Sequence, residues 1–544
     1  MKDMIMNRIK IFATACLLCM TCTLMAQSKS ARAEQTIVVF NDVMRQLDVN
    51  YVDTLPYEKM TETAINQMLR QVDPYTVYYP KEKDRDLRMM TTGKYGGVGA
   101  LIQQREERQN DSTETITKKD KKKPNTYIII SEPYEGMPAQ KAGLLAGDRI
   151  LEIDGKKMSG KTVSEVSDAL RGTPHSMLKV KVQRDGAAEP LTFTVEREEI
   201  KLPPVSYYNM VSDKVAYISF NEFTEHSAEE VSRALNDMVT NNGAKALVLD
   251  LRDNGGGIID EAVKIVNLFV NKGKMVVSTR GRIKQLERTY STTQEAAYPD
   301  MPVVLLVNHN SASASEIVAG SLQDHKRATL IGERTFGKGL VQSVRSVAYD
   351  GYVKLTTAKY YLPSGRCIQA IDYSKHQGKA EKDSTGGILP DIVMPDTNRK
   401  VDISYTLYAK QLFYDYATRY RAMHASIAPV NEFALTDADI EDFCRYLDEV
   451  GFTYVTETSK FFNEMLDMAQ HEDLDSTTIA QLKAFVPQLQ PSFREAIARH
   501  RSEVVRLLEA EIIERYYFQR GRAEYMLKHD DDLKKALEVL NETL

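Results

Sequence analysis

Two stretches of this chain carry residues able to do covalent chemistry. The first, "VVLLVNHNSASASEIVAG", sets Ser311, Ser313 and Ser315 where an apolar run gives way to a helical pattern. The first N–H groups of a helix lack intrahelical acceptors, and the dipole end there is positive, so an oxyanion is stabilised. Each of the three serines is therefore a candidate nucleophile, and the alanines between them leave room for a substrate backbone. Plain helix capping by serine is the competing reading. A serine nucleophile needs a base. The second stretch, "GERTFGKGLVQ", holds Lys338 between two glycines. It resembles a phosphate-binding loop but has Gly339 where a magnesium-binding Ser or Thr is required. A lysine becomes a base only when apolar burial lowers its pKa from about 10.4 to roughly 7–8. No carboxylate stands between Thr335 and Val341 to hold the proton on. A surface lysine in a glycine turn is the competing reading. His309 lies near Ser313 but has no evident acidic partner, so it is read as a satisfied or exposed histidine.

A third stretch, "LVLDLRDNGGG", supplies acceptor-free N–H groups. Gly256 or Gly257, paired with the N–H of Ala314, would make an oxyanion hole; a simple strand–helix loop is the alternative.

These residues must be positioned by elements that the pattern predicts. "VAYISF", "KALVLDL", "VVLLVN" and "ATLIG" read as buried strands alternating with helices, which argues for a largely parallel sheet. "VKLTTAKYYLP" reads as a hairpin arm. Upstream, "YIIISEP", "MPAQKAGLLAGDRILEIDG", "VSEVSDALR" and "LKVKVQRDG" read as strand, short helix and strand, helix, and strand. Residues 36–90 and 403–544 are helical in pattern, the latter without a catalytic motif.

Composition narrows the class. With 71 basic against 76 acidic residues and a net charge of −5, the chain lacks the basic footprint of a nucleic-acid binder. At 42% hydrophobic and 27% charged residues, its 544 residues can fill several cores. Lys2, Arg8 and Lys10 precede the apolar run Ile11–Ala26, the order of an export signal cleaved near Ala26. The run is short of the ~20 residues of a spanning helix. The expected location is periplasmic or envelope-associated. Only Cys367 and Cys444 lie beyond that leader, and no Cys/His cluster has zinc-ligand spacing.

Together the motifs resemble the carboxy-terminal processing (tail-specific) proteases. The resemblance runs over about residues 36–396, through "VDPYTVYYP", "GGVGALI", "MPAQKAGLLAGDRILEIDG", "LRG", "LDLRDNGGG", "SASASEIVAG", "GERTFGKGLVQ", "LTTAKYYLPSGRCIQ" and "GILPDI". It implies an α/β, crotonase-like protease core with an inserted PDZ domain, a helical N-terminal segment and a helical C-terminal domain. The boundaries implied are 1–26 signal, 27–92 helical segment, 93–200 PDZ, 201–398 protease core and 399–544 helical domain. It implies Ser313 as nucleophile, Lys338 as general base, Gln342 as the residue orienting the lysine, and an oxyanion hole from Ala314 and Gly256 or Gly257. A PDZ domain adds an extended peptide to a strand edge and holds its terminal carboxylate on backbone N–H groups. Gly96, Gly97, Val98, Gly99 and Leu101 are expected there, with Arg171 as a further contact, and Leu101 with the helix "VSEVSDALR" as the groove. Polypeptide C-termini of exported proteins are the expected partners. An adaptor or activating protein and a homo-oligomer formed through the terminal helices are also expected; a cofactor or metal is not. Gly255 stands where the family often has proline, and two inserts lengthen the surface loops. A catalytically silent secreted PDZ adaptor, an acyl-CoA enzyme and a nucleotide hydrolase are the competing classes.

Overall fold

The computed structural model describes residues 31–32, 34–83, 93–107, 126–373, 381–382, 386–395 and 402–544. The expected export signal and its expected cleavage near Ala26, most of the charged insert after Ile102 and much of the insert after Gln369 lie outside them. The chain divides into two units, Met1–Pro74 and Tyr75–Leu544. The first holds helix α1, residues 34–50, and α2, Tyr57–Arg70. Ile37, Phe40 and Val43 on α1 are exposed.

The second unit opens with strand β1, Val77–Tyr79. Then come β2 (Lys94–Gly97), β3 (Ala100–Glu106), β4 (Thr126–Pro133), α3 (Pro138–Lys141), β5 (Arg149–Ile153), α4 (Val163–Leu170), β6 (Met177–Gln183), β7 (Leu191–Glu196) and β8 (Glu198–Lys201). β3-β4-β5-β6-β7 form an antiparallel sheet with β3 at one end, and β2 pairs with β8. Thr162 caps α4 in a capping box with Glu165. Val166 and Leu170 of α4 close this region's core over Ile128, Ile130, Val180 and Val182.

The next region runs β9 (Val205–Met210), β10 (Val215–Phe220), α5 (Ser227–Asn242), β11 (Ala246–Asp250), α6 (Ile259–Asn267), β12 (Met275–Gly281), β13 (Arg288–Ser291), β14 (Val303–Val307), α7 (Ala314–Asp324), β15 (Thr329–Gly332), β16 (Leu340–Ser346), β17 (Tyr352–Tyr361) and β18 (Ile392–Val393). One sheet has the order β9-β10-β11-β14-β15-β18, parallel except for its β9–β10 edge. The expected hairpin arm in "VKLTTAKYYLP" is β17, paired antiparallel with β16, but the pattern did not show the antiparallel sheet they join, β1-β17-β12-β13 with β16 on β17. β13 and β17 are part-exposed and mix polar with apolar residues, and β12, though buried from Val276 to Thr279, has only a short apolar stretch, so none shows the runs that mark the first sheet. β11 and β14 are buried throughout. Leu247, Leu249 and Leu305 pack with α5, α6 and α7, while Val248, Val304 and Leu306 face the opposite way. That alternation follows from the two-residue period of a strand.

The C-terminal region is helical, as expected: α8 (Asp402–Ala409), α9 (Leu412–Met423), α10 (Asp437–Glu449), α11 (Glu457–His471), α12 (Ser476–Leu489), α13 (Phe493–Arg499), α14 (Arg501–Leu527) and α15 (Asp531–Thr543). Phe413, Tyr416, Phe443 and Leu508 build its own core. α15 leaves that core and covers the second face of the parallel sheet with Leu533, Ala536 and Leu540. Cys367 and Cys444 are both free thiols. No helix among the described residues is long and apolar enough to cross a membrane.

The β3–β4 sheet is joined to the C-terminal helices by Tyr414, whose hydroxyl donates to the carbonyl of Ser131 at 2.9 Å, and by the Arg105–Asp415 pair at 3.0 Å. Gln519 donates to Glu132 at 2.8 Å, and burial, with repulsion from Glu514, pushes the Glu132 carboxyl up to about 7. Its folded pKa is raised, so its stabilising contribution is present at acid pH and is lost as pH rises through about 7. Glu132→Gln is therefore expected to raise the thermal midpoint at pH 8 while leaving it little changed at pH 5. Melting curves at the two pH values check this.

Candidate active site

Loops at the carboxyl ends of β11, β14 and β15 converge here. β14 ends at Val307, and α7 starts at Ala314 with Ser313 at the cap, at φ 57° and ψ −111°. A non-glycine residue at positive φ is held there by its surroundings. Gly256 makes the approach possible: a Cβ on it would lie 2.8 Å from both the Ser313 Cβ and the Ala314 nitrogen.

The fold separates the three serines. Ser311 donates to the carbonyl of Leu251 at 2.7 Å and accepts from the Asn308 N–H at 3.0 Å. Ser315 donates to the carbonyl of Asn254 at 2.9 Å. Both side chains are buried and stitch the 308–315 segment to the 251–254 loop. Among the described residues the Ser313 hydroxyl bonds no carbonyl; it hydrogen-bonds the hydroxyl of buried Tyr360, whose own pKa burial raises.

Glu316 joins the serine and lysine segments, and the sequence reading missed it. It is fully buried. One of its oxygens accepts the Ser313 N–H at 2.8 Å and the Lys338 N–H at 2.9 Å. The other accepts the Gly337 N–H at 2.7 Å and the Thr335 hydroxyl at 2.6 Å. Ser-x-x-Glu at a helix start is the sequence of a capping box, and that was the available signal. Burial raises the Glu316 pKa, and its four donors oppose the rise.

Lys338 is followed by strand β16, not by the helix that a phosphate-binding loop must open. Its flanking glycines serve close packing. A Cβ on Gly337 would lie 2.3 Å from the Ala370 Cβ, and one on Gly339 would lie 2.2 Å from the Gln369 nitrogen. The Ala370 N–H donates to the Gly337 carbonyl at 2.9 Å, and the Gly339 N–H to the Gln369 side chain at 2.8 Å. Burial lowers the Lys338 pKa, nearby Lys354 lowers it further, and Glu316 opposes both. The amine sits 4.7 Å from the centre of the Tyr75 ring. Among the described residues no hydrogen bond joins Ser313 Oγ to Lys338 Nζ, and such bonds commonly tighten only when substrate binds. Gln342 donates to Thr356 Oγ1 at 3.3 Å, and the Thr356 N–H donates to Thr76 at 3.2 Å. Tyr75 and Thr76 of "VDPYTVYYP" are thus further site neighbours that the sequence reading did not single out.

Of the two oxyanion candidates, Gly256 donates its N–H to Asn254 Oδ1 at 2.9 Å. The Gly257 N–H has no acceptor among the described residues. His309 does have an acidic partner, Glu333 at 2.7 Å, and its side chain is largely exposed.

In the peptide-binding candidate, Gly96 and Gly97 lie in β2 and pair with β8. A Cβ on Gly96 would lie 2.1 Å from the Gly172 carbonyl, so "LRG" packs directly on this loop. The N–H groups of Val98 and Gly99 have no acceptor among the described residues, and Gly99 has φ +69°. The Arg171 guanidinium lies over the Tyr95 ring, 5.3 Å from its centre. β3 is a sheet edge, as an added strand requires. Ala100 and Ile102, not Leu101, pack against the core that α4 closes. Leu101 lines a cavity with Tyr408, Tyr414 and Arg515, because the strand's alternation, interrupted by a bulge after Leu101, turns it toward the C-terminal helices.

Three family profiles match the chain: peptidase family S41 over residues 214–394, a PDZ domain over 129–184, and the C-terminal helical domain of probable PDZ-proteases over 403–540. The chain is 34% identical over 409 residues to a carboxy-terminal-processing protease of Bartonella bacilliformis, covering 73% of this chain and 86% of that protein. It is 33% identical over 346 residues to a probable CtpA-like serine protease of Staphylococcus aureus (strain N315), covering 62% and 65%. A solved photosystem II D1 C-terminal processing protease aligns at 28% identity and a TM-score of 0.36, covering 63% of this chain and 84% of that one. On the family profiles and the Bartonella bacilliformis relative, the chain belongs to the carboxy-terminal-processing proteases, serine-type peptidases of family S41 that carry a PDZ domain.

Proposed function

We propose that this chain is an endopeptidase that cleaves exported polypeptides near their C-termini, with Ser313 as nucleophile and Lys338 as general base. The observation that carries the reading is the single Glu316 oxygen shared by the Ser313 and Lys338 amides, which ties the serine's helix start to the lysine's loop. In the proposed reaction, neutral Lys338 takes the Ser313 Oγ proton as Oγ attacks the scissile carbonyl. The oxyanion is received by the N–H groups of Ala314 and Gly257, since that of Gly256 is already given to Asn254. Lys338 returns the proton to the departing amine and then activates the water that hydrolyses the ester. Gln342, which donates to Thr356 in this structure, is read as the residue that orients the amine when substrate is bound. The division proposed is an export signal over 1–26, a helical segment over 27–92, a PDZ domain over 93–200, a crotonase-like core over 201–398 and a helical domain over 399–544. The parallel sheet feeding β14 into α7 supports the core assignment.

Chain-end reading rests on the free N–H groups of Val98 and Gly99 beside the β3 edge. Charge-assisted hydrogen bonds contribute roughly 1.5–3 kcal/mol each. Amidating the C-terminus of a peptide that ends in apolar residues should therefore lower kcat/KM by about tenfold or more. An Asp-ended version should also be poor. Rates for the free-acid, amidated and Asp-ended peptides on the full chain test this, and equal cleavage of all three sinks the tail-specific reading.

A further inference from the structure

Helix α15 does more than cover apolar surface. Its capping residue Asp530 accepts the Leu533 N–H at 3.0 Å and also grips Arg252 in the "LDLRDNGGG" loop. The contact is bidentate, Nη1 to Oδ1 at 3.1 Å and Nη2 to Oδ2 at 2.5 Å. Asp532 adds a bond to Nη1 at 3.1 Å. From the loop's own strand, Asp250 takes Nε at 3.0 Å and Nη2 at 2.6 Å, and Tyr217 holds Asp250 at 2.7 Å. One guanidinium thus joins three carboxylates, and the Arg252 side chain is only 21% exposed. Planar fork geometry of this kind fixes orientation as well as distance, which a lysine cannot do.

The residues after Arg252 lie against the candidate nucleophile. Asp253 Oδ1 accepts from Asn308 at 3.0 Å and Asn310 at 2.8 Å. The Asn254 carbonyl accepts the Ala312 N–H at 3.0 Å, and Gly256 touches Ser313 and Ala314. We infer that Asp530 and Asp532 of the C-terminal helix are positioning residues for catalysis, which hold the 252–257 loop through Arg252 and so set the oxyanion N–H against Ser313. The inference rests on the reading of Ser313 and Gly257 given above. It gives the start of the last helix a role in setting the active centre, beyond the cover its apolar face provides to the sheet.

The test uses the full chain. Asp530→Asn keeps the ability to cap a helix, and Asp532→Asn leaves the cap untouched. The double variant and Arg252→Lys should each lower kcat by about tenfold or more with KM within about twofold. Combining Arg252→Lys with the double variant should cost little more than either alone, because all act through one contact. Amide exchange over residues 252–257 should quicken in the same variants. Asp531→Asn, at an exposed position paired with Lys534, and Leu540→Ala, in the apolar cover, are controls expected to leave kcat unchanged. Unchanged kcat in the double variant and in Arg252→Lys overturns the inference. So does a fall in kcat that Leu540→Ala reproduces in proportion to its loss of stability. Residual activity in Ser313→Ala is a separate result, which removes the site reading; quickened exchange over 252–257 reports the clamp independently of it.

Discussion

Ser313→Ala is expected to abolish peptide hydrolysis, lowering kcat by roughly 10⁴–10⁶-fold, the scale of removing a serine nucleophile. The thermal midpoint should fall less than in Ser311→Ala or Ser315→Ala, because the partner this hydroxyl leaves is the Tyr360 hydroxyl and not a loop carbonyl. Ser311→Ala and Ser315→Ala should behave oppositely. Each removes a buried hydroxyl that bonds a loop carbonyl, Leu251 in one case and Asn254 in the other. An orphaned buried acceptor costs about 1–3 kcal/mol. Those variants should melt earlier but keep part of their activity. Single-turnover cleavage and melting curves on the three variants separate the roles. Wild-type cleavage by Ser313→Ala would show that the nucleophile lies elsewhere.

Activity is expected to rise with pH along one limb as Lys338 loses its proton, and Lys338→Arg should be inactive because arginine keeps its charge. Burial is the largest cause of the lowered pKa and Lys354 the second, with Glu316 acting against them. Removing the Lys354 charge with Lys354→Met takes away a repulsion that disfavours the ammonium. The Lys338 pKa then rises, and the limb moves to higher pH. Stability follows the same proton. The folded chain binds it less tightly than the unfolded chain, so folding gains stability as pH rises through the window between the lowered pKa and about 10.4. Below that window a buried amine must be charged at a cost, and Lys338→Met should be more stable than wild type at neutral pH. Rate profiles of wild type, Lys338→Arg and Lys354→Met, with melting curves for Lys338→Met, measure both effects. A limb that stays put in Lys354→Met, or activity in Lys338→Arg, would rule out the lysine as the titrating base.

Several elements were legible because their physics is local. β11 and β14 are buried on both faces, so they appear as uninterrupted apolar runs, and the helices between them keep their own period. The start of α7 was legible for the same reason: small and hydroxyl residues mark the turn from strand to helix. The second sheet was legible only in its hairpin arm β17, since its other strands are short or mix polar residues with apolar ones. Glu316 went unnoticed because its four donors come from three separate points of the chain, Ser313, Thr335 and the Gly337–Lys338 turn.

By itself the sequence determined the elements and the short motifs, including the family resemblance, because propensity, periodicity and glycine spacing act between near neighbours. The tertiary structure alone decided what distant segments do to one another. It distinguishes Ser313 from Ser311 and Ser315 by which hydroxyls meet carbonyls of the 251–254 loop. It separates Gly257 from Gly256 by the reach of the Asn254 side chain. It turns Leu101 away from α4, and it brings Asp530 to Arg252 across 278 residues of chain. A helical pattern states only that a helix has an apolar face. What covers that face depends on where every other element has gone, and here the last helix meets the sheet that carries the serine.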